Sequence, residues 1–173
     1  MTNTHERKVE LPLRWPSPRL NIVLVEPRIP PNTGNIARLC AATGTTLHLV
    51  GPLGFRLDDA DLKRAGLDYW SSVDVKTYEN WEAFSGQVIT PKTRMHLLST
   101  AGEKSCYDVA YAAGDYLLFG SETEGLPKVL LEQYPEAITQ IPIRTDHVRS
   151  LNLATASGIV LYEALRQINL AAS

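Results

Sequence analysis

Short apolar runs separated by polar, helix-periodic segments set the rhythm of the chain after residue 19. LNIVLVEP (20–27) is a continuous apolar run closed by proline, the pattern of a strand buried on both faces. In IPPNTGNIARLCAATG (29–44), Asn32 as N-cap predicts a helix over 33–43 that stops at Gly44. Ile36, Leu39, Cys40 and Thr43 then share one face at i, i+3, i+4, i+7 spacing. Further strand runs are TLHLVGP (46–52), a weaker one at 73–78, RMHLLST (94–100), DYLLFG (115–120) and AITQIPI (137–143). Helical segments fall at 57–66, 80–86 and 127–134, and a long last helix spans 151–170 with Ser150 as its N-cap. Strands alternating with helices predict an α/β protein with a mostly parallel sheet and helices on both faces. Ligands of such sheets sit outside the carboxyl ends of the strands, which singles out the turns at 27–35, 99–105, 120–127 and 142–152.

With 173 residues, 44% of them apolar, the chain fits one domain with a real core. Pro12, Pro16 and Pro18 block regular structure near the start, so 1–19 reads as a mobile extension and 20–173 as a single domain. Cys40 and Cys106 match no CxxC pattern, which argues against a disulfide framework or zinc site and makes a reducing cytosol the expectation. No run approaches the roughly 18 apolar residues of a membrane span. The opening stretch has no hydrophobic core of a signal peptide. A formal net charge of −2 weighs mildly against a nucleic-acid partner, although a basic cleft on a neutral protein is compatible with one.

The turn FGSETEGLP (119–127) has the G-x-x-x-x-G spacing of a phosphate loop, but Leu126 and Pro127 stand where that motif needs Lys and Ser/Thr. Glu122 and Glu124 would also repel phosphate. No G-x-G-x-x-G occurs either, so a dinucleotide site lacks its fingerprint. What remains is either turn punctuation before a helix or a glycine turn that lets a ligand other than a polyanion approach the backbone. In IPIRTDHVRSLNLATASGIVLYEAL (141–165), a polar turn with Arg144, Asp146, His147 and Arg149 runs into the last helix. Ala154, Ala156, Ser157 and Gly158 permit tight helix packing, and Gly158 costs about 1 kcal/mol relative to alanine. Tyr162 and Glu163 read as exposed polar positions and His147 as a loop histidine. No metal site is expected. Arg38 is the lone charge of its helix, beside Gly34, Ala41 and Ala42. It is either a solvated arginine or one with room for another body beside it.

Taken together, PPNTGNIARLCAATG, LLFGSETEGLP and IPIRTDHVRSLNLATASGIVLYEAL resemble, in order and spacing, the signature stretches of SPOUT-type RNA 2′-O-ribose methyltransferases. EPRIPPNTGNIARLCAATG and RAGLDYW resemble the minimal bacterial branch in particular, the tRNA (cytidine/uridine-2′-O)-methyltransferases that act on the wobble nucleotide. The resemblance runs from residue 20 to about 168. It implies a deep trefoil knot in the C-terminal half, an obligate homodimer, a tRNA substrate met at its anticodon loop, a cytoplasmic location and S-adenosylmethionine as methyl donor. By matching positions, Leu98, Gly120, Ile141 and Ser150 would line the donor site, with Thr100, Glu122 and Leu151 beside them. The family assigns the activating role to the arginine matching Arg38, and Asn152 and Tyr162 are expected to orient the nucleotide. Asn32, Asn35 and Arg149 are expected to face the RNA. The extension before Leu20, with Arg7, Lys8, Arg14 and Arg19, departs from the pattern, since minimal members begin almost at that strand. The competing expectation is a non-catalytic α/β domain that binds a nucleoside and modifies nothing.

Overall fold

The computed structural model describes residues 12–57 and 70–171. The helix expected over 57–66 and the RAGLDYW stretch lie almost wholly outside the described residues. The order of elements is β1 (Asn21–Val25), α1 (Pro30–Thr43), β2 (Thr46–Val50), β3 (Val75–Tyr78), α2 (Trp81–Val88), β4 (Met95–Leu98), β5 (Tyr116–Phe119), α3 (Lys128–Gln133), β6 (Ile138–Thr139) and α4 (Leu153–Ala171). The strands form one sheet in the order β3-β2-β1-β5-β4-β6, every pair parallel.

The continuous apolar strands follow from cover on both faces. Ile22 and Leu24 of β1, Leu47 and Leu49 of β2, and Leu117 and Phe119 of β5 pack with α1 and α4, whose Ile36, Cys40, Val160, Leu161 and Leu165 complete that layer. The intervening residues Val23, Val25, Val50 and Leu118 point the other way, onto Phe84 of α2 and Leu130 of α3. Each such side chain contributes about 1.5–3 kcal/mol on burial. An interruption of the core comes at His48 of β2, which is 1% exposed. Its Nε2 meets Asn21 Oδ1 at 3.1 Å and its Nδ1 meets the Tyr78 hydroxyl at 3.0 Å. Asn21 Nδ2 faces the carbonyls of Arg19 and Gly114, so its oxygen is left to accept from the imidazole. Burial, with a smaller push from Lys76 opposed by Asp74, takes the His48 pKa down to about 4.

Three boundaries differ from the sequence reading. Helix α1 begins at Pro30, with Ile29 at the N-cap and no side-chain cap, so Asn32 lies inside the first turn. The prolines lack N–H groups that a first turn would leave unpaired anyway. At the other end Gly44 caps in the left-handed region (φ 66°), as the sequence implies. Strand β6 keeps only Ile138–Thr139 of the run 137–143; Gln140 makes an isolated bridge to Ser105, and Pro142 has no N–H to extend a ladder. Helix α4 starts at Leu153, and its cap is Asn152, whose Oδ1 accepts from Ala154 N at 2.9 Å and Thr155 N at 3.3 Å. Ser150 is exposed and is not the cap.

Candidate functional site at the carboxyl ends of the strands

Because β1 and β5 are neighbours, the turns that leave their carboxyl ends face each other. Glu122 joins them. One carboxylate oxygen accepts from Arg28 N at 2.8 Å, and the other from Ile29 N at 3.1 Å and Asn32 Nδ2 at 3.1 Å. Asn32 Oδ1 in turn accepts from Asn152 Nδ2 at 2.9 Å, and Asn152 caps α4. One polar chain, Glu122–Asn32–Asn152, therefore ties together the turns after β1, β5 and β6. Hydrogen bonds to a charged acceptor are worth about twice a neutral one, so Glu122 is the strong link. Arg28 also lies 3.6 Å from Glu124 and 3.9 Å from Glu26, exposed pairs that add little.

The turn after β5 folds back on itself. Ser121 and Gly125 exchange backbone hydrogen bonds at 3.1 and 3.0 Å, Gly125 has φ 71°, and Ser121 Oγ accepts from Glu124 N at 3.2 Å. A Cβ on Gly120 would lie 1.9 Å from the carbonyl carbon of Gly125 and 2.0 Å from Leu126 N. Position 120 is thus glycine because the loop's own backbone occupies the side-chain space, a reason distinct from room for a ligand. A similar close approach occurs next door, where a Cβ on Gly102 would meet the Thr139 carbonyl carbon at 2.8 Å. There the 99–105 turn closes over β6 through Ser99 N to Thr139 O (2.9 Å), Cys106 N to Gln140 O (2.8 Å) and Gln140 N to Lys104 O (2.9 Å).

Between these turns lie several of the residues singled out from sequence. Leu98 ends β4 and pairs in register with Phe119 on one side and Thr139 on the other, so Gly120 and Gln140 each follow directly. Leu98, Ile141 and Leu151 are half-buried, Thr100 and Ser150 exposed. The Thr139 hydroxyl is buried here without a hydrogen-bond partner, a feature with no local signal in the sequence; that of Thr33 in α1 is likewise unpartnered. No cationic side chain is among the residues just named, and the Glu122 carboxylate lies in the adjoining turn.

Other candidates stand apart from it. Asn35 and Arg38 lie on the exposed side of α1, Arg38 about 9 Å along the axis from Asn32. Tyr162 is 52% exposed, about 14 Å along α4 from its first residue. Arg149 and His147 are exposed in the 144–150 turn, where Arg144 lies 3.8 Å from Asp146. Among the described residues no group of His, Cys, Asp and Glu side chains could hold a metal ion, and no helix is long and apolar enough to cross a membrane.

A parallel α/β sheet whose motif turns meet at the carboxyl ends of its strands places a ligand site there. The SpoU rRNA Methylase family matches residues 19–162, and the chain belongs to this family. It is 50% identical over 154 residues, 88% of its own length and 98% of the relative's, to a tRNA (cytidine(34)-2′-O)-methyltransferase of Saccharophagus degradans. A solved structure described as giving insights into the 2-OH methylation of C/U34 on tRNA superposes with a TM-score of 0.81 at 45% identity, covering 89% of this chain and 97% of the other. An AdoMet-bound rRNA methyltransferase from Sinorhizobium meliloti superposes with a TM-score of 0.76 at 30% identity, covering 85% of this chain and 56% of that one.

Proposed function

We propose that the chain is a tRNA 2′-O-methyltransferase that moves a methyl group from S-adenosylmethionine to the ribose 2′-hydroxyl of cytidine or uridine 34. The observation that carries this reading is the Glu122–Asn32–Asn152 chain, which draws the three motif turns into one crevice. The crevice fits the donor: Leu98, Ile141 and Leu151 offer an apolar wall and the Thr139 hydroxyl lacks a partner. The Glu122 carboxylate suits a cationic ligand better than a phosphorylated one. Leu98, Thr100, Gly120, Ile141, Ser150 and Leu151 would hold the donor, with Glu122 fixing the loop around it. When bound, the donor supplies an electrophilic methyl on a sulfonium.

The remaining work is to position the ribose and stabilise the charge that develops on its oxygen. Arg38 does the second: its planar guanidinium acts as a fixed cation beside the alkoxide and a neighbouring phosphate. Asn152 and Asn32 each commit one amide hydrogen to the polar chain and keep a second for the nucleotide. Tyr162 orients the base, while Asn35 and Arg149 meet the RNA. Within one chain the helices keep Arg38 and Tyr162 apart from Asn152, so a second copy supplies what a single copy separates. The small-residue side of α4 is where the homodimer packs: a Cβ on Gly158 would meet nothing within 4 Å in its own chain. The family's trefoil knot belongs to the same reading, supported by the 99–105 turn closed over β6 and by α4 returning onto α1. A cytoplasmic location follows from the substrate.

Incubation with methyl-labelled S-adenosylmethionine and bulk tRNA tests the proposal. Label should appear at the 2′-oxygen of nucleotide 34. Tight adenosine binding with no label transferred would turn the chain into a nucleoside-binding domain and overturn the enzyme reading.

A further inference from the structure

The amino ends of the strands, the opposite edge of the sheet from the crevice, carry a groove of about 490 Å³. Asn21 and Thr46 open it at the starts of β1 and β2, and Arg94 and Tyr116 at β4 and β5. Its charged lining is Arg19, Lys92, Arg94 and Asp115. Asp115 is 1% exposed and fully engaged: it accepts from Arg94 Nε at 3.0 Å, His96 Nε2 at 2.8 Å and Ala112 N at 2.9 Å. The Arg94 guanidinium, held also by the Ala110 carbonyl, is thereby fixed and half-exposed. Arg19 and Lys92 are exposed and make no ion pair among the described residues. The other carboxylate bonded to a lining side chain is Asp74, which accepts from Thr46 Oγ1 at 3.3 Å. On a chain of net charge −2, this edge concentrates cations.

Part of the groove is built by the segment ahead of β1. Pro18 lines it, with Cγ 2.9 Å from where a Cβ on Gly114 would stand, and Gly114 has φ 87°. Arg14 pins the same segment to α4, its N donating to Asn169 Oδ1 at 2.8 Å and its carbonyl accepting from Asn169 Nδ2 at 3.1 Å. Arg19 is therefore delivered by an anchored strap. The family match begins at residue 19, so Pro18 and Arg14 of this strap precede the matched region and Arg19 opens it.

We infer that this groove is a second RNA contact, in which Arg19, Lys92 and Arg94 hold backbone phosphates of the tRNA outside the methylated loop. The inference rests on the tRNA methyltransferase reading. Its side chains suit phosphate and carry no base-reading pattern, since the Thr90 and Thr93 hydroxyls are bonded to each other at 3.1 Å. The contact adds affinity without altering chemistry.

The test uses the full chain with Arg19→Ala and Lys92→Ala together, leaving Arg94 to its pairing with Asp115. Affinity for full-length tRNA is measured against salt concentration, beside the methyl-transfer rate at saturating tRNA and the affinity for S-adenosylmethionine. Losing two phosphate contacts should make the log–log salt slope shallower by about 2. The saturated rate and donor affinity should stay at wild-type values, and Arg19→Lys with Lys92→Arg should restore the slope. An unchanged slope, with wild type methylating normally, overturns the groove alone. So does saturable binding of inorganic phosphate or AMP that the alanines abolish while the tRNA slope stays put. Absence of methyl transfer by wild type overturns instead the function on which the inference rests.

Discussion

Replacing Gly120 by alanine adds one methyl group at a place already filled by main chain. The new carbon would lie 1.9 Å from the Gly125 carbonyl carbon, 2.0 Å from Leu126 N and 2.2 Å from the Gly125 oxygen. Contacts between such atoms normally lie near 3.5–4.0 Å, so the 121–125 turn must retreat by more than about 1 Å. Retreat breaks the paired Ser121–Gly125 hydrogen bonds at 3.1 and 3.0 Å, each worth about 1 kcal/mol net, and loosens Leu126, which is 4% exposed in the core. With about 1–3 kcal/mol for overpacking, the loss should come to about 3–5 kcal/mol. Glu122 rides on the same turn, so donor binding should vanish with it. Gly125 is the control: its φ of 71° disfavours alanine by about 1–2 kcal/mol, but a Cβ there meets nothing within 4 Å. Urea unfolding with a constant m-value gives the stabilities, and calorimetry gives the S-adenosylmethionine affinity. A Gly120→Ala midpoint equal to wild type, or equal damage from Gly125→Ala, would refute the claim that backbone packing demands the first glycine.

Arg38→Ala should slow single-turnover methyl transfer by about 10²–10³ at saturating donor and tRNA while donor affinity stays the same, and Arg38→Lys should recover little because it lacks the planar fork; a normal rate in the alanine variant removes Arg38 from the reaction. Gly158→Ala should stabilise the isolated chain by about 1 kcal/mol in urea yet weaken dimerisation in sedimentation, opposite signs that separate helix propensity from a contact between copies; a dimer left intact puts Gly158 outside the interface. His48 stays neutral in the fold down to about pH 4, whereas in the unfolded chain it takes its proton near pH 6.5. The unfolded state therefore binds more protons between those values, and about 3 kcal/mol of stability should be lost as pH falls through that window. His48→Gln should flatten the profile there, and an identical slope in the variant would contradict the burial argument.

What the sequence disclosed and what it hid divide along the range of the interactions. LNIVLVEP reads as a buried strand because both faces of β1 are covered, so every side chain must be apolar. AITQIPI carries the same signal for another reason: Ile141 and Ile143 are half-buried beyond the sheet, after β6 has ended at Thr139. An apolar run says that something covers it, not that a strand does. Capping residues show the same limit. Asn32, Ser150 and Asn152 are all chemically able to cap, and only the fold decides which does; Asn32 is diverted to Glu122, 90 residues away, leaving α1 without a side-chain cap, and Asn152 rather than Ser150 caps α4. From local pattern Glu122 is legible only as a reason to reject a phosphate loop, and its place beside the donor comes from the family resemblance. Its acceptance of hydrogen bonds from the turn after β1 depends on β1 and β5 being neighbours, which no local pattern encodes.

That same carboxylate explains how charge is distributed over the molecule. Glu122 is satisfied without a counter-ion in its hydrogen bonds: two main-chain N–H groups and an amide donate to it, while the nearby Arg28 guanidinium pairs with Glu26 and Glu124. A phosphorylated cofactor would be repelled there, while a sulfonium donor is not. Under the proposed function RNA must nevertheless be attracted, and cations placed to do so include Arg38 on the open side of α1, Arg149 in the turn before α4, and Arg19, Lys92 and Arg94 at the far edge of the sheet. Together these cations leave enough positive surface to hold a polyanion on a chain whose net charge is −2. Under the proposed function, moving a cation into the crevice should harm the donor before it harms the RNA. Leu98→Arg is that experiment: donor affinity should collapse while tRNA affinity holds or rises, and the reverse order would show that the crevice belongs to the RNA.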